Sequence, residues 1–291
     1  MLGWLIVNSF TASSKKFQDN YDLLQKAANL RNISLTIKTD IDLFYVLHKE
    51  ESKNTKPDFV ISWNNDVFLA KYLESLGVRV FNSSEAIEHT ANKALTHIRL
   101  NDCGLPMPKT ILAPVNFNQS EGLYRDFIER VVDELAFPMI IKGCYGSFGK
   151  QVFLAHSAQE LVEKAQVFQH KPFMFQEFIA SSNGRDVRIN IVGNQPAASM
   201  LRTSGNDDFR ANITNGGIMR TYQPTDEQIQ LAIRASKELG LDFAGVDLLF
   251  GKENQPIICE INGNSHIKNI TDCTGADIAG AMIDHVIAEI R

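Results

Sequence analysis

The chain has 291 residues, 44% of them apolar and 22% charged. That length is too great for one small core and suits two or three compact lobes, while the composition excludes a disordered tail, a collagen-like rod and a disulfide-stapled mini-protein. With 29 basic against 34 acidic residues the net charge is −5, the wrong sign for a generic nucleic-acid binder.

Residues 1–82 alternate strand and helix signals. Leu5-Ile6-Val7, the period-two stretch over 33–37 and Asp58-Phe59-Val60-Ile61-Ser62-Trp63 read as strands, and Val78-Arg79-Val80-Phe81 as a fourth. Residues 19–31 carry helical spacing, and a second helix runs to Leu76, where Gly77 stops it. Strand–helix–strand order predicts a small parallel α/β lobe. The apolar start, Met1 to Val7, lacks a basic region and turns polar at Asn8, so it reads as a buried strand rather than a signal peptide. No run approaches the roughly 18 apolar residues of a membrane span.

One helix follows, capped by Ser83 or Ser84, with an apolar stripe of Ile87, Ala91, Ala94, Leu95 and Ile98. Gly104, Pro106 and Pro108 end it. Residues 109–180 hold short strands and helices near 121–135 and 157–168. Residues 181–291 hold an antiparallel sheet, a helix opened by a Thr225/Gln228 capping box and closed by Gly240, and a final helix over 277–291. No internal repeat or long linker interrupts the chain, so the lobes should pack on each other with chemistry between them.

A hairpin near residue 250 carries the most informative arithmetic. Phe243–Phe250 and Pro256–Asn262 read as strands around a polar turn, Lys252-Glu253-Asn254-Gln255. A four-residue loop places Gly251 opposite Pro256, Leu249 opposite Ile258 and Asp247 opposite Glu260, with Asn262 on the same face two residues on. Two carboxylates side by side in an apolar strand need positive charge, and a hard divalent cation, Mg²⁺ or Mn²⁺, is the economical source. The alternative is a pair of solvated rim carboxylates in a slipped register.

Between the apolar strand Pro138-Met139-Ile140-Ile141-Lys142 and the strand Gln151-Val152-Phe153-Leu154-Ala155 lies Gly143-Cys144-Tyr145-Gly146-Ser147-Phe148-Gly149-Lys150. Neither the Walker A spacing nor a dinucleotide fingerprint is present, and no helix follows. The segment is a glycine-rich flap whose backbone N–H groups can close over phosphates, with Lys142 as a point charge at the strand end. A flexible hairpin loop without a ligand is the alternative.

With these elements in place the chain resembles the ATP-grasp superfamily, in its RimK-like (ribosomal protein S6 glutamate ligase-like) branch. The similarity runs from about Val80 to the C-terminus. It rests on Val80-Phe81-Asn82-Ser83-Ser84-Glu85-Ala86-Ile87, Asn92-Lys93, the glycine flap, Gln176-Glu177-Phe178-Ile179 and Gly184-Arg185-Asp186-Val187-Arg188. It continues through Asp208-Phe209-Arg210-Ala211-Asn212, Gly216-Gly217, Gly245-Val246-Asp247, Glu260-Ile261-Asn262 and Thr274-Gly275-Ala276-Asp277-Ile278-Ala279-Gly280. The resemblance implies an α+β ATP-grasp fold in three parts. These are a small pre-ATP-grasp α/β lobe over 1–95, a central subdomain over 96–179 and a C-terminal subdomain with the metal site over 180–291, the last two clamping ATP.

The resemblance also implies roles. Lys93 and Lys142 would hold the ATP phosphates under Gly146, Ser147 and Gly149. Gln176, Glu177, Phe178 and Ile179 would form the hinge under adenine, and Asp186 would take the ribose hydroxyls, with a salt bridge to Arg185 or Arg188 as its other reading. Arg202, Arg210 and Asn212 would neutralise phosphate and developing acyl-phosphate charge. Asp247, Glu260 and Asn262 would hold two Mg²⁺ or Mn²⁺ ions.

The implied reaction joins a carboxylate to an amine with release of ADP and phosphate, and needs no enzyme nucleophile. Cys144 then reads as a small flap residue and Cys259 as strand packing. The four cysteines, Cys103, Cys144, Cys259 and Cys273, lack zinc or thioredoxin spacing and read as free thiols of a cytoplasmic protein. The implied partners are an amino acid and an amine or carboxylate acceptor, whether small molecule, peptide or carrier protein, without nucleic acid or membrane; a homo-oligomer is compatible with the family. After Asn262 the chain reads Gly263-Asn264-Ser265-His266-Ile267-Lys268-Asn269, where S6-type ligases carry a Ser-Pro-Gly-rich stretch. Lys268-Asn269 looks closer to lysine-biosynthesis ligases that modify a carrier protein, and His266 reads equally as a substrate ligand or a structural histidine. A non-catalytic ATP-binding module is the rival class.

Overall fold

A computed structural model describes residues 1–43, 56–114, 125–168, 170–206, 208–211, 213 and 216–290. The first lobe is built from β1 (Leu2–Val7), α1 (Lys15–Asn29), β2 (Ser34–Thr39), β3 (Phe59–Ser62), α2 (Val67–Ser75) and β4 (Arg79–Phe81). Its four strands are parallel in the order β2-β1-β3-β4. Phe59, Val60 and Ile61 are fully buried in succession, as a parallel strand covered on both faces requires. The expected parallel lobe is present.

The single helix expected after β4 is two helices, α3 (Ser84–Ala91) and α4 (Lys93–Asp102). Asn92 is extended at φ −115° and ψ 108°, and its side chain accepts from the Ala94 N–H. Asparagine satisfies a helix N-terminus better than it continues a helix, so the chain restarts there. The break rotates the buried face. Ala86 and Ile87 are buried in α3, and Thr96, His97 and Leu100 in α4, while Ile98 of the expected stripe is 48% exposed.

The central lobe contains β5 (Thr110–Leu112), α5 (Arg125–Leu135), β6 (Met139–Gly143), β7 (Val152–Ala155), α6 (Ala158–Ala165) and β8 (Phe173–Glu177). The start expected for α5, residues 121–124, lies outside the described residues. The sheet is antiparallel in the order β5-β8-β6-β7 and owns a separate core of Ile128, Val131, Met139, Ile141, Phe168 and Phe175.

The last lobe contains β9 (Arg185–Val192), β10 (Gln195–Thr203), β11 (Ile218–Thr221), α7 (Asp226–Glu238), β12 (Phe243–Phe250), β13 (Pro256–Asn262), α8 (Lys268–Thr274) and α9 (Ile278–Ile290). Its antiparallel sheet runs β11-β10-β9-β12-β13. The Thr225/Gln228 capping box forms on both sides. Helix α8, of seven residues, was not anticipated; the segment is polar and too short for a periodic signal, and Gly275 at φ 74° ends it.

The first and last lobes share one core, in which Leu5, Leu24 and Phe81 pack with Met282, Ile283 and Val286 of α9. Leu100 of α4 joins Leu231 and Ala235 of α7 in a second. The lobe boundary expected near residue 95 falls within α4. Asn82, buried at the joint, uses its whole side-chain amide. Its Oδ1 accepts from the Asp242 and Phe243 N–H groups at 2.7 and 2.9 Å, and Nδ2 donates to the Phe243 and Gly263 carbonyls at 3.0 Å each. Among the described residues no helix is long and apolar enough to cross a membrane.

Asn82→Leu should destabilise the chain by about 3 kcal/mol or more, because it strands several buried backbone groups at once. Urea denaturation measures this, and a loss under about 1 kcal/mol would show that water replaces the amide. Two histidines contribute to the acid limb. Burial, with Lys142 and Lys93, lowers His97 to about 3, and burial, with Lys16 and Arg188, lowers His266 to about 4. The unfolded chain takes up both protons near pH 6.5 while the folded chain refuses them, so their contribution is complete above that pH and lost progressively below it. Each should add about 1.4 kcal/mol per pH unit to the slope of stability between about pH 6 and 4. His97→Gln and His266→Gln should each flatten a plot of stability against pH; unchanged slopes in both would mean the histidines titrate normally in the folded state.

Candidate active site

Strand register places four charges in a row. Asp247 on β12 faces Arg188 on β9, and Asp186 on β9 faces Arg202 on β10. Arg188 Nε and Nη2 both donate to Asp247, the latter at 2.7 Å. Arg202 donates to Asp186 through Nε at 2.6 Å and Nη2 at 2.8 Å, and Nη2 also lies 2.9 Å from Asp247. The network Arg188–Asp247–Arg202–Asp186 is neutral as a whole. Burial pushes the Asp186 carboxyl up despite Arg202, whereas for Asp247 the same burial is outweighed by Arg188 and Arg202, which hold it below the usual range. The Asp186 partner is therefore Arg202 rather than the Arg185 or Arg188 weighed from sequence.

The carboxylates meet as the hairpin arithmetic predicts, by a different route. Gly251 N–H donates to the Gln255 carbonyl around a tight turn over Lys252–Asn254, so Phe250 faces Pro256 and Leu249 faces Ile257. The expected pairs Gly251–Pro256 and Leu249–Ile258 do not form. A bulge between Asp247 and Leu248 leaves Cys259 without a partner and restores Asp247 opposite Glu260, with Gly245 opposite Asn262. Asp247, Glu260 and Asn262 line one cavity. Arginines supply the positive charge that Asp247 needs, and Lys93 stands 3.1 Å from Glu260. Among the described residues no three His, Cys, Asp or Glu side chains are grouped for a metal. Two carboxylates and an amide oxygen are nonetheless a donor set that fits a hard divalent cation.

The flap is fastened from two sides. Lys93 Nζ donates to the Gly146 carbonyl at 2.7 Å, its N–H donates to the Cys144 carbonyl, and Asn92 Nδ2 donates to Tyr145 Oη. Arg210 Nη1 donates to the Gly149 carbonyl at 2.7 Å while its other nitrogens hold Asp208. The tight path needs Gly146 at φ 122° and Gly149 at φ 69°. Lys142 is buried on β6, and burial lowers its ammonium below the usual lysine range. Burial pushes the Cys259 thiol up to about 12, which keeps it protonated.

One cavity between the central and last sheets collects nearly every residue singled out from sequence. Lys93, Lys142, Gly146, Ser147, Gly149, Gln176, Glu177, Phe178, Ile179, Asp186, Arg202, Arg210, Asp247 and Glu260 all line it. Gln176 is buried and donates to Thr110 Oγ1, and Phe178 meets Phe209 edge-on at 6.3 Å. Asn262 lines the neighbouring cavity, and Asn212 lies outside the described residues. Sequence reasoning missed Arg188 as a partner of Asp247. Its signal was available only through the pairing of β9 with β12, which two other strands separate in sequence.

A family model described as a RimK-like ATP-grasp domain matches residues 90–286. N-acetylaspartylglutamate synthase A of Homo sapiens is 31% identical over 82% of this chain and 62% of its own length. Beta-citrylglutamate synthase B of Homo sapiens is 32% identical over 76% of this chain and 56% of its own. The chain thus spans little more than half the length of these two relatives. Among solved structures, a RimK domain protein of the ATP-grasp type from Sphaerobacter thermophilus superposes with a TM-score of 0.73 at 18% identity, over 98% of this chain and 99% of that one. The family match over most of the chain, joined to relatives above 30% identity, places the protein in the RimK-like ATP-grasp ligase family.

Proposed function

We propose that the chain is an ATP-dependent carboxylate–amine ligase that forms an amide bond through an acyl phosphate and releases ADP and phosphate. The observation that carries this reading is that two cavities meet at Asp247 and Glu260. One is framed by the flap and the 176–179 segment, the other by the first lobe. A nucleotide in the first would present its terminal phosphate at the junction, where a substrate carboxylate from the second can reach it. Alignment of the two reactants is itself a large part of such catalysis.

In this reading residues 176–179 carry adenine, Asp186 faces the ribose, and Lys93 and Lys142 neutralise the phosphates. Arg202, Arg210 and Asn212 stabilise the charge that develops on the transferred phosphoryl group. Mg²⁺ or Mn²⁺, as two ions held by Asp247, Glu260 and Asn262, would supply further positive charge at the phosphate oxygens. The flap covers the junction and excludes water from an intermediate that hydrolyses readily. The carboxylate oxygen displaces ADP at phosphorus, then the amine nitrogen displaces phosphate at the acyl carbon and loses its proton.

The names of both human relatives contain glutamate, which supports an amino acid of that kind as one substrate. The acceptor is a small molecule, peptide or carrier protein, and the free thiols suit a cytoplasmic setting.

Phosphate release with ATP and Mg²⁺, measured across amino acids singly and in pairs, tests the reading. Release should require a specific acid–amine pair and fall by about 100-fold or more in Glu260→Ala. Release from ATP alone at the same rate would overturn it. Cys259→Ala and Cys144→Ala should each retain activity within about threefold, since no thiol attacks the substrate; loss of activity in a folded variant would point instead to a covalent route.

A further inference from the structure

Within the 176–179 segment only Gln176 carries a side-chain amide, and its neighbours decide which way that amide points. It lies on β8 directly opposite Thr110 on β5, is 4% exposed, and lines the cavity between the central and last sheets. Its Nε2 is 2.8 Å from Thr110 Oγ1 and 3.4 Å from Nε2 of His97 on α4. Neither Thr110 nor His97 is among the described residues that line the cavity, so both meet it only through Gln176.

The available protons fix the orientation. A threonine hydroxyl has one proton to give, and Thr110 Oγ1 gives it to the Pro108 carbonyl at 2.8 Å. Toward Gln176 the same oxygen can only accept, so the amide turns its NH₂ group, not its carbonyl, to Thr110. The other amide hydrogen is directed to His97 Nε2, which must be bare, since a proton there would face the amide's own. The ring proton is left on Nδ1, which is buried without a partner among the described residues. Burial, together with Lys142 and Lys93, lowers this histidine to about 3, so the ring does not take a second proton near neutral pH. Both amide hydrogens are committed, and no hydrogen bond among the described residues reaches Gln176 Oε1. The oxygen is the atom left to serve the cavity.

Resting on the ligase reading and its adenine segment, we propose that His97 and Thr110 are positioning residues for nucleobase selectivity, which lock the Gln176 amide with its oxygen toward the base. An oxygen there accepts from the exocyclic amine of a 6-aminopurine and opposes the 6-oxygen of hypoxanthine or guanine. An unrestrained glutamine would discriminate poorly, because half a turn of the amide exchanges donor for acceptor without changing its shape. The selectivity thus depends on two side chains that stand off the nucleotide cavity.

Calorimetric titration of the full chain with ADP and with IDP, each with Mg²⁺, tests this. Wild type is compared with Thr110→Val, Thr110→Ser and the double variant Thr110→Val with His97→Phe, which keeps the bulk of both side chains. Failure of wild type to bind ADP would overturn the ligase reading itself. Wild type should bind ADP about tenfold or more tighter than IDP. In the double variant that ratio should fall by about fivefold or more, in part through tighter IDP binding, which a merely structural loss does not produce. Thr110→Val should move the ratio the same way by about threefold, and it decides the matter where the double variant does not fold. Thr110→Ser retains the hydroxyl and should keep the wild-type ratio within about twofold. ADP binding with no preference over IDP in wild type would overturn the proposal. So would a ratio unchanged in the valine variants, equal weakening of both nucleotides, or a ratio lost in Thr110→Ser as well.

Discussion

Four alternating charges across three strands, with Asp247, Arg202 and Asp186 buried and Arg188 half-buried, are the constraint on which the rest of the site depends. Arg188, Asp247, Arg202 and Asp186 occupy directly opposed positions on β9, β10 and β12. Each is costly to bury alone, and removing one partner of a buried pair typically costs about 3–5 kcal/mol because the other charge is left behind. A slip of one residue in either pairing would send these side chains to the other face. The network therefore ties the register of the sheet to the chemistry of its ends. It holds Asp247 ionised in an otherwise apolar strand, at the point where two cavities join.

Around that point the lobes are joined in two different ways. The first and last lobes share apolar cores and the four hydrogen bonds of Asn82. The central lobe keeps its own core, and its flap meets the others through Lys93, Arg210 and the ring of Phe148. Apolar burial is stronger and less local than a few polar contacts, so the second cavity has fixed walls on two sides and a flap on the third. That arrangement suits a site in which one substrate must be held while the other reactant is enclosed. Arg210 and Lys93 hold flap carbonyls through their charged side chains, so the flap rests on two cations.

Much of this was legible in the chain. Alternating apolar runs, the Thr225 capping box and glycine stops located most strands and helices, because these signals act within a few residues. The pairing of Asp247 with Glu260 was also legible, although a shorter turn and a bulge at Cys259 replaced the simple four-residue loop. The two departures cancel, so Asp247 still faces Glu260. Asn92 carries a cap signal, but an apolar period on both sides of it outweighs one polar residue when helices are located by periodicity.

The sequence by itself determined the kinds of groups available: glycines for a flap, lysines and arginines as cations, carboxylates as oxygen donors, and a sheet edge to place them. Tertiary structure alone decided which charges neutralise which. Arg188 meets Asp247 only because β9 lies beside β12, and Arg202 meets Asp186 only because β10 lies on its other side. Likewise Asn8, Asn64 and Asn264 share one cavity although long stretches of chain separate them. Local preferences act through neighbours along the backbone. Charge pairing and cavity shape act through space, between residues whose separation in sequence carries no trace of their contact.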